Sequence, residues 1–205
     1  MTKLQFWYDF SSPWTYLAAT QIEVVAERAG AELAWRPFLL GALFKQIGTH
    51  DVPLLQMSEA KRRYAARDLH YWASHWGVPF QFATRFPMRT VTALRLALLA
   101  GDKIAPVSRD LFRALWVDDR DLNDEAVLSE ILDAHGLDPK ATLARTQDPE
   151  IKQQLIANTT EAIERGVFGA PTFIVEQAEG DLLFWGQDRL DFVERALGGW
   201  RPPHG

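Results

Sequence analysis

The segment Asp9-Phe10-Ser11-Ser12-Pro13-Trp14-Thr15 joins an apolar run, residues 4–8, to a stretch, residues 14–28, with Leu17, Ile22, Val24 and Val25 at helical spacing. A strand feeding a helix through Ser-Ser-Pro leaves a hydroxyl beside N–H groups that the first helical turn does not use. The proline sits where its missing N–H costs nothing. A helix start of this kind attracts an anion. Ser12 fits a plain N-cap equally well, because a serine oxygen readily accepts a backbone N–H. Far along the chain, Phe168-Gly169-Ala170-Pro171-Thr172 forms a Gly-x-Pro turn into a second apolar run, residues 172–175. Pro171 there reads as a turn proline at a strand start, a position that sheets tolerate.

Between these segments the hydrophobic pattern divides the chain. Residues 32–38 alternate polar and apolar side chains, so the first 38 residues read as strand, helix, strand. Such a crossover makes the two strands parallel. From about residue 40 to residue 165 the pattern is helical: 60–76, stopped by Gly77-Val78-Pro79; 91–100, stopped by Gly101; 108–116; 124–135, stopped by Gly136; and 148–165. After Gly166 come strand-like runs at 172–175 and 182–185, a polar turn at 177–181 between them, and a closing helix at 188–197. The pattern predicts an α/β fold with a large all-helical insertion between a β-α-β half and a β-β-α half. Residues 1–39 and 166–200 would make one domain and residues 40–165 the insertion, with the tail from Gly198 as a loose end.

Three motifs, Asp9-Phe10-Ser11-Ser12-Pro13-Trp14-Thr15-Tyr16-Leu17-Ala18, the segment 167–172, and Trp185-Gly186-Gln187-Asp188-Arg189-Leu190, span nearly the whole chain. Their order and spacing resemble the 2-hydroxychromene-2-carboxylate isomerases, relatives of the kappa-class glutathione transferases. The resemblance implies a thioredoxin-like fold in which the Ser12 helix start meets Pro171, with Pro171 in a cis bond. It implies glutathione as cofactor. Ser12-Pro13-Trp14-Thr15 stands at the redox position of that fold, and the chain has no cysteine. Disulfide exchange is therefore excluded, and any sulfur chemistry needs a thiol from outside.

The same resemblance assigns roles. The family's functional serine immediately precedes the proline, which selects Ser12 over Ser11. Its hydroxyl would donate to a bound thiolate, and the positive helix end would favour the anion further. No neighbouring histidine supplies the base that a nucleophilic serine needs. The N–H and C=O of Ala170, next to Pro171, would pair with the tripeptide as an added strand. Gln187 and Asp188 would hold the γ-glutamyl end, although Asp188 also reads as an N-cap for the closing helix. Lys61, three residues before Tyr64 and seven before Asp68, has the spacing of the family's glutathione-binding lysine; read alone, it is a solvated helix lysine. Thr49, in Gly48-Thr49-His50, stands where the family carries the asparagine of a Gly-Asn pair, and it retains a donor.

Composition narrows the remaining classes. A net charge of −5 with dispersed basic residues excludes a nucleic-acid footprint. No apolar run approaches the length of a membrane span and no signal-like core follows the first residues, so a cytoplasmic protein without a membrane segment is expected. His70 and His75 are five apart, off the i, i+4 register of paired ligands, and no metal is implied. Gly101, Gly136 and Gly169 lack a phosphate-cradling pattern. Trp14, Tyr64, Trp72 and Phe86 read either as core or as an aromatic slot, and Arg85 and Arg89 flank a loop where a guanidinium would meet a substrate carboxylate. The expected function is a glutathione-dependent isomerase of 2-hydroxychromene-2-carboxylate or a related keto acid of aromatic breakdown. Its partners would be a small aromatic substrate and a second copy in a homodimer, as in relatives. The alternatives are a kappa-like glutathione transferase and a redox-inactive thioredoxin-like binding module.

Overall fold

A computed structural model describes residues 2–50 and 52–203. The chain runs β1 (Lys3–Tyr8), α1 (Pro13–Ala19), α2 (Ile22–Arg28), β2 (Glu32–Pro37), α3 (Leu40–Ile47), α4 (Pro53–Gln56), α5 (Glu59–Trp76), α6 (Val91–Leu99) and α7 (Ile104–Trp116). It continues through α8 (Glu125–Ala134), α9 (Pro139–Arg145), α10 (Pro149–Glu164), β3 (Thr172–Glu176), β4 (Leu182–Trp185), a 3-10 turn (Gln187–Arg189) and α11 (Leu190–Leu197). The sheet order is β2-β1-β3-β4. β1 pairs with β2 in parallel and with β3 antiparallel, and β4 pairs antiparallel with β3. This is the thioredoxin-like arrangement, with the helices α3 to α10 between its two halves.

Period-two alternation gives the sheet two apolar faces. Phe6 lies opposite Trp35 on one side and Phe173 on the other, with ring centroids 5.0 and 5.6 Å away. That face is continuous with Tyr8, Leu17, Phe112 and Trp116 in the larger core. Trp7 and Ile174 point the other way, into a smaller core with Phe38, Leu43, Phe44 and Ala162. The helices thus cover the sheet on both sides, which positions the β1–α1 turn and the start of β3 side by side.

Several elements differ from the sequence pattern. The expected single helix over 14–28 is two helices, broken at Thr20 and Gln21, where the Thr20 hydroxyl donates to Leu17 O at 2.7 Å. α3, α4 and α9 were not anticipated, and α7 begins four residues earlier than its apolar spacing indicates. α9 has an Asp138–Pro139 start, with Asp138 Oδ1 accepting the Ala141 N–H at 3.0 Å. The closing helix is preceded by the 3-10 turn, and Asp188 does not cap it. The tail is not loose as far as it is described: Arg201 donates to Gln177 Oε1 and Gly180 O, both at 2.8 Å, and Trp200 packs on the larger core. His204 and Gly205 lie outside the described residues.

Candidate functional site

Ser12 caps a helix and also meets the Ala170–Pro171 turn. It is the N-cap of α1 in extended conformation, its Oγ accepting the Thr15 N–H at 3.2 Å, with Pro13 following in the first turn. The same hydroxyl donates to Ala170 O at 3.0 Å, across 158 residues of sequence. The Ala170–Pro171 bond is cis, as the resemblance implied. Ser12 is buried and Ala170 half-buried, so a polar atom pair stands at the rim of the sheet with one side toward solvent. Thr15, at the other end of the Ser-Pro-Trp-Thr segment, is fully buried, and its Oγ1 has no hydrogen-bond partner.

The start of β3 is fixed from both directions. Thr172 Oγ1 donates to Gly169 O at 2.7 Å, and the Gly186 N–H donates to Pro171 O at 3.0 Å. Gly186 ties the end of β4 to Pro171, and its φ of +106° is a conformation that favours glycine. A Cβ at Gly186 would stand 2.5 Å from Asp188 Oδ1, and one at Gly169 would stand 2.6 Å from Trp185 Nε1. Both glycines therefore permit close approaches, one by a carboxylate and one by an indole. Trp185 and Phe168 form a tilted pair with ring centroids 5.1 Å apart and are about half exposed beside this turn. Gln187 is buried and Asp188 exposed in the 3-10 turn, which packs against α1. Ser12, Ala170, Pro171, Gln187 and Asp188 accordingly come together at one corner of the fold.

Lys61 and Thr49 stand apart from that corner's hydrogen bonds. Lys61 is exposed in the first turn of α5, where its N–H is capped by Ser58 Oγ at 3.3 Å. Thr49 is exposed just beyond α3, its N–H bonded to Phe44 O at 2.9 Å. α5 nevertheless reaches the corner through Asp68, two turns after Lys61. Partial burial pushes the Asp68 carboxyl up, the negative charge of Asp188 adds to that rise, and a hydrogen bond with Tyr64 opposes it. Asp68 had no assigned role in the sequence reading, where it served only to mark the spacing of Lys61, seven residues before it.

Asp9 is the other residue without an assigned role. Its Oδ1 accepts the Ser11 N–H at 2.9 Å and the Thr90 hydroxyl at 2.7 Å, and its Oδ2 accepts the Leu40 N–H at 2.8 Å. Burial pushes its carboxyl up, while those hydrogen bonds pull it back toward the charged form. Among the residues considered for a second-substrate pocket, Phe86 packs on Phe82 and Trp116 at 5.2 and 6.3 Å, and Trp14 and Trp72 lie against the larger core. Tyr64 is exposed. Arg85 is engaged, donating to Asp119 O at 2.7 Å, whereas Arg89 is exposed and makes no ion pair among the described residues. No group of three or more metal-ligating side chains gathers among the described residues, and no described helix is long and apolar enough to cross a membrane.

A family model for the DSBA-like thioredoxin domain matches residues 3–198. A 2-hydroxychromene-2-carboxylate isomerase of Sphingobium xenophagum is 30% identical over 201 residues, covering 96% of this chain and 99% of that protein. Glutathione S-transferase kappa 2 of Caenorhabditis elegans is 25% identical, covering 93% of this chain and 89% of its own. Among solved structures, a 2-hydroxychromene-2-carboxylate isomerase superposes with a TM-score of 0.85 at 26% identity, covering 96% of this chain and 95% of that one.

Proposed function

The chain belongs to the DSBA-like thioredoxin domain family and, within it, to the 2-hydroxychromene-2-carboxylate isomerases, and from that membership we propose a glutathione-dependent isomerase of 2-hydroxychromene-2-carboxylate or a closely related keto acid. The observation that carries the reading is Ser12: a hydroxyl at a helix N-terminus, bonded across the fold to Ala170, in a chain without cysteine. A DsbA-like protein lacking both redox thiols has lost exchange chemistry but kept the place where a thiolate is stabilised.

The donor set suits glutathione. Ser12 and the N-terminus of α1 favour a thiolate. The backbone of Ala170 offers pairing for an extended peptide. Asp188, with Asp68 nearby, favours the γ-glutamyl amine, and Gln187 is placed to add an amide hydrogen bond. Lys61 would supply a positive charge for a carboxylate, and Thr49 a further donor. Bound glutathione supplies a thiol able to add reversibly to a conjugated double bond, which makes that bond single and free to rotate. The protein's part is to hold that thiol charged, through the helix dipole and the Ser12 hydroxyl, whose single proton would turn from Ala170 O to the thiolate, and to position the tripeptide by its two ends. Direct rotation about a double bond lies far above the roughly 14 to 18 kcal/mol that enzymatic turnover tolerates.

With the reading go the division into a thioredoxin-like domain (1–39 and 166–200) with an inserted helical domain (40–165), a cytoplasmic location and a homodimeric assembly. The test is a progress curve with keto-acid substrate in large excess over glutathione, with free thiol titrated at the end. Full conversion with the thiol intact is expected. A reaction that stops when the thiol is consumed would transfer the assignment to the kappa-like glutathione transferases, and activity without glutathione would end both readings.

A further inference from the structure

Asp9 is a carboxylate with only 1% of its surface exposed, and its hydrogen bonds join three separate segments. Ser11 belongs to the turn into α1, Leu40 is the first residue of α3, and Thr90 is the residue before α6, itself buried. Two backbone N–H groups and one hydroxyl, each beside the start of a different helix, therefore converge on one side chain. These donors are what a buried anion requires in place of water. Asp9 also holds the next residue through its main chain, its carbonyl accepting the Ser12 N–H at 3.3 Å.

Ser12 Oγ sits 3.2 Å from Thr15 N and 3.0 Å from Ala170 O at once. A small rotation of residues 9–12 would break one contact or both. α1 holds Ser12, whose carbonyl accepts the Thr15 and Tyr16 N–H groups at 3.1 and 3.2 Å, but among the described residues its backbone makes no bond to residues 9–11. Residues 9–11 are restrained by side chains from outside α1 in two places: Phe10 O accepts the Trp116 indole N–H at 2.8 Å, and the Asp9 carboxylate is held by Thr90, 81 residues away in the helical segment.

We propose that Asp9 is a positioning residue for the Ser12 turn and that Thr90, through its hydroxyl, lets the helical segment set where the Ser12 hydroxyl points. The proposal rests on the reading of Ser12 as the group that activates the thiol. It makes the helical segment part of the activation apparatus rather than only a cover over the sheet.

The full-length protein tests this with Thr90→Val, which keeps the shape and removes the donor, and Thr90→Ser, which keeps the donor. Thr90→Val should lower kcat about tenfold, short of the hundredfold that a full ångström of misplacement can cost. Glutathione affinity measured by calorimetry should stay within about twofold, since the peptide-binding groups are untouched, and Thr90→Ser should restore kcat. In the protein without glutathione, the amide resonances of Ser11, Ser12 and Leu40 should move in Thr90→Val and return in Thr90→Ser. Wild-type kcat in Thr90→Val, equal loss in both variants, or unmoved Ser11 and Ser12 resonances would overturn the proposal. If Thr90→Val does not fold, Asp9→Asn read in the same assays takes its place, with loss of kcat at unchanged glutathione affinity expected and wild-type kcat overturning the tether. Failure of the wild-type protein to bind glutathione would defeat the thiol reading alone, and the resonances of the ligand-free protein would still decide the tether.

Discussion

Replacing Ser12 by alanine removes two contacts at once, and they report on different properties. The cap bond from Thr15 N to Ser12 Oγ is 3.2 Å long, and losing an N-cap costs about 1 kcal/mol. The bond to Ala170 O is 3.0 Å, and a net contribution of about 1 kcal/mol is typical for such a pair. The sum, about 2 kcal/mol, corresponds to a melting temperature lower by roughly 4 to 8 °C in a domain of this size. The catalytic loss should be larger. If the hydroxyl stabilises the thiolate as an oxyanion-hole donor stabilises developing charge, its removal costs about 2.7 to 4 kcal/mol, or roughly 10²- to 10³-fold in kcat. Glutathione affinity should change little, because one hydrogen bond among many contacts is lost. The assay is steady-state isomerisation at 25 °C, where the variant remains folded, beside a thermal melt and a calorimetric titration. Ser11→Ala is the control, since it keeps the backbone N–H that Ser11 donates to Asp9 at 2.9 Å and leaves the Ser12 hydroxyl in place. Ser12→Ala retaining kcat within about threefold, or Ser11→Ala carrying the loss instead, would refute the reasoning.

Asp188→Ala and Lys61→Ala should each weaken glutathione binding by roughly 1.5 to 3 kcal/mol, the range for a charged hydrogen-bond partner, with the melting temperature little changed; unaltered calorimetric affinity in both would remove them from the site. Gly169→Ala places a Cβ 2.6 Å from Trp185 Nε1, so the indole must shift off Phe168. A loss of about 1 to 3 kcal/mol is expected, as for other overpacked sites, recovered in the Gly169→Ala, Trp185→Ala double variant; a wild-type melt and unchanged tryptophan fluorescence in the single variant would contradict the close approach. Hydrogen bonds from the Thr84 hydroxyl and N–H hold the Asp119 carboxyl below the usual carboxylate range. A depressed folded value means that the clamp stabilises above the ordinary carboxylate pKa of about 4 and is lost as pH falls through the folded value. Asp119→Asn should therefore flatten the acid limb of the stability curve, and a limb identical to wild type would exclude the clamp.

Signals confined to a few neighbouring residues were legible in the sequence. The Ser-Pro start of α1, the left-handed glycines Gly77 and Gly136 that end α5 and α8, and the strand Leu182–Trp185 all depend on side chains within one turn or one pleat of each other. Asp138–Pro139 carries the same start signal as Asp148–Pro149, so α9 was present in the sequence although its apolar pattern is too short to mark it. The absence of cysteine likewise settled by itself that disulfide exchange is not available. α3 is a different case. Its N-cap residue is Leu39, which offers no side-chain acceptor, and the Leu40 N–H is satisfied instead by Asp9, 31 residues earlier. The break between α1 and α2 also escapes the pattern, because apolar residues continue at helical spacing across it. The convergence of Ser11, Leu40 and Thr90 on Asp9, the repulsion between Asp68 and Asp188, and the bond from Ser12 to Ala170 exist only once the chain has folded. Hydrophobic periodicity encodes which face of an element is buried, but a buried polar group takes whatever donors packing brings within 3 Å, and that choice belongs to the tertiary structure.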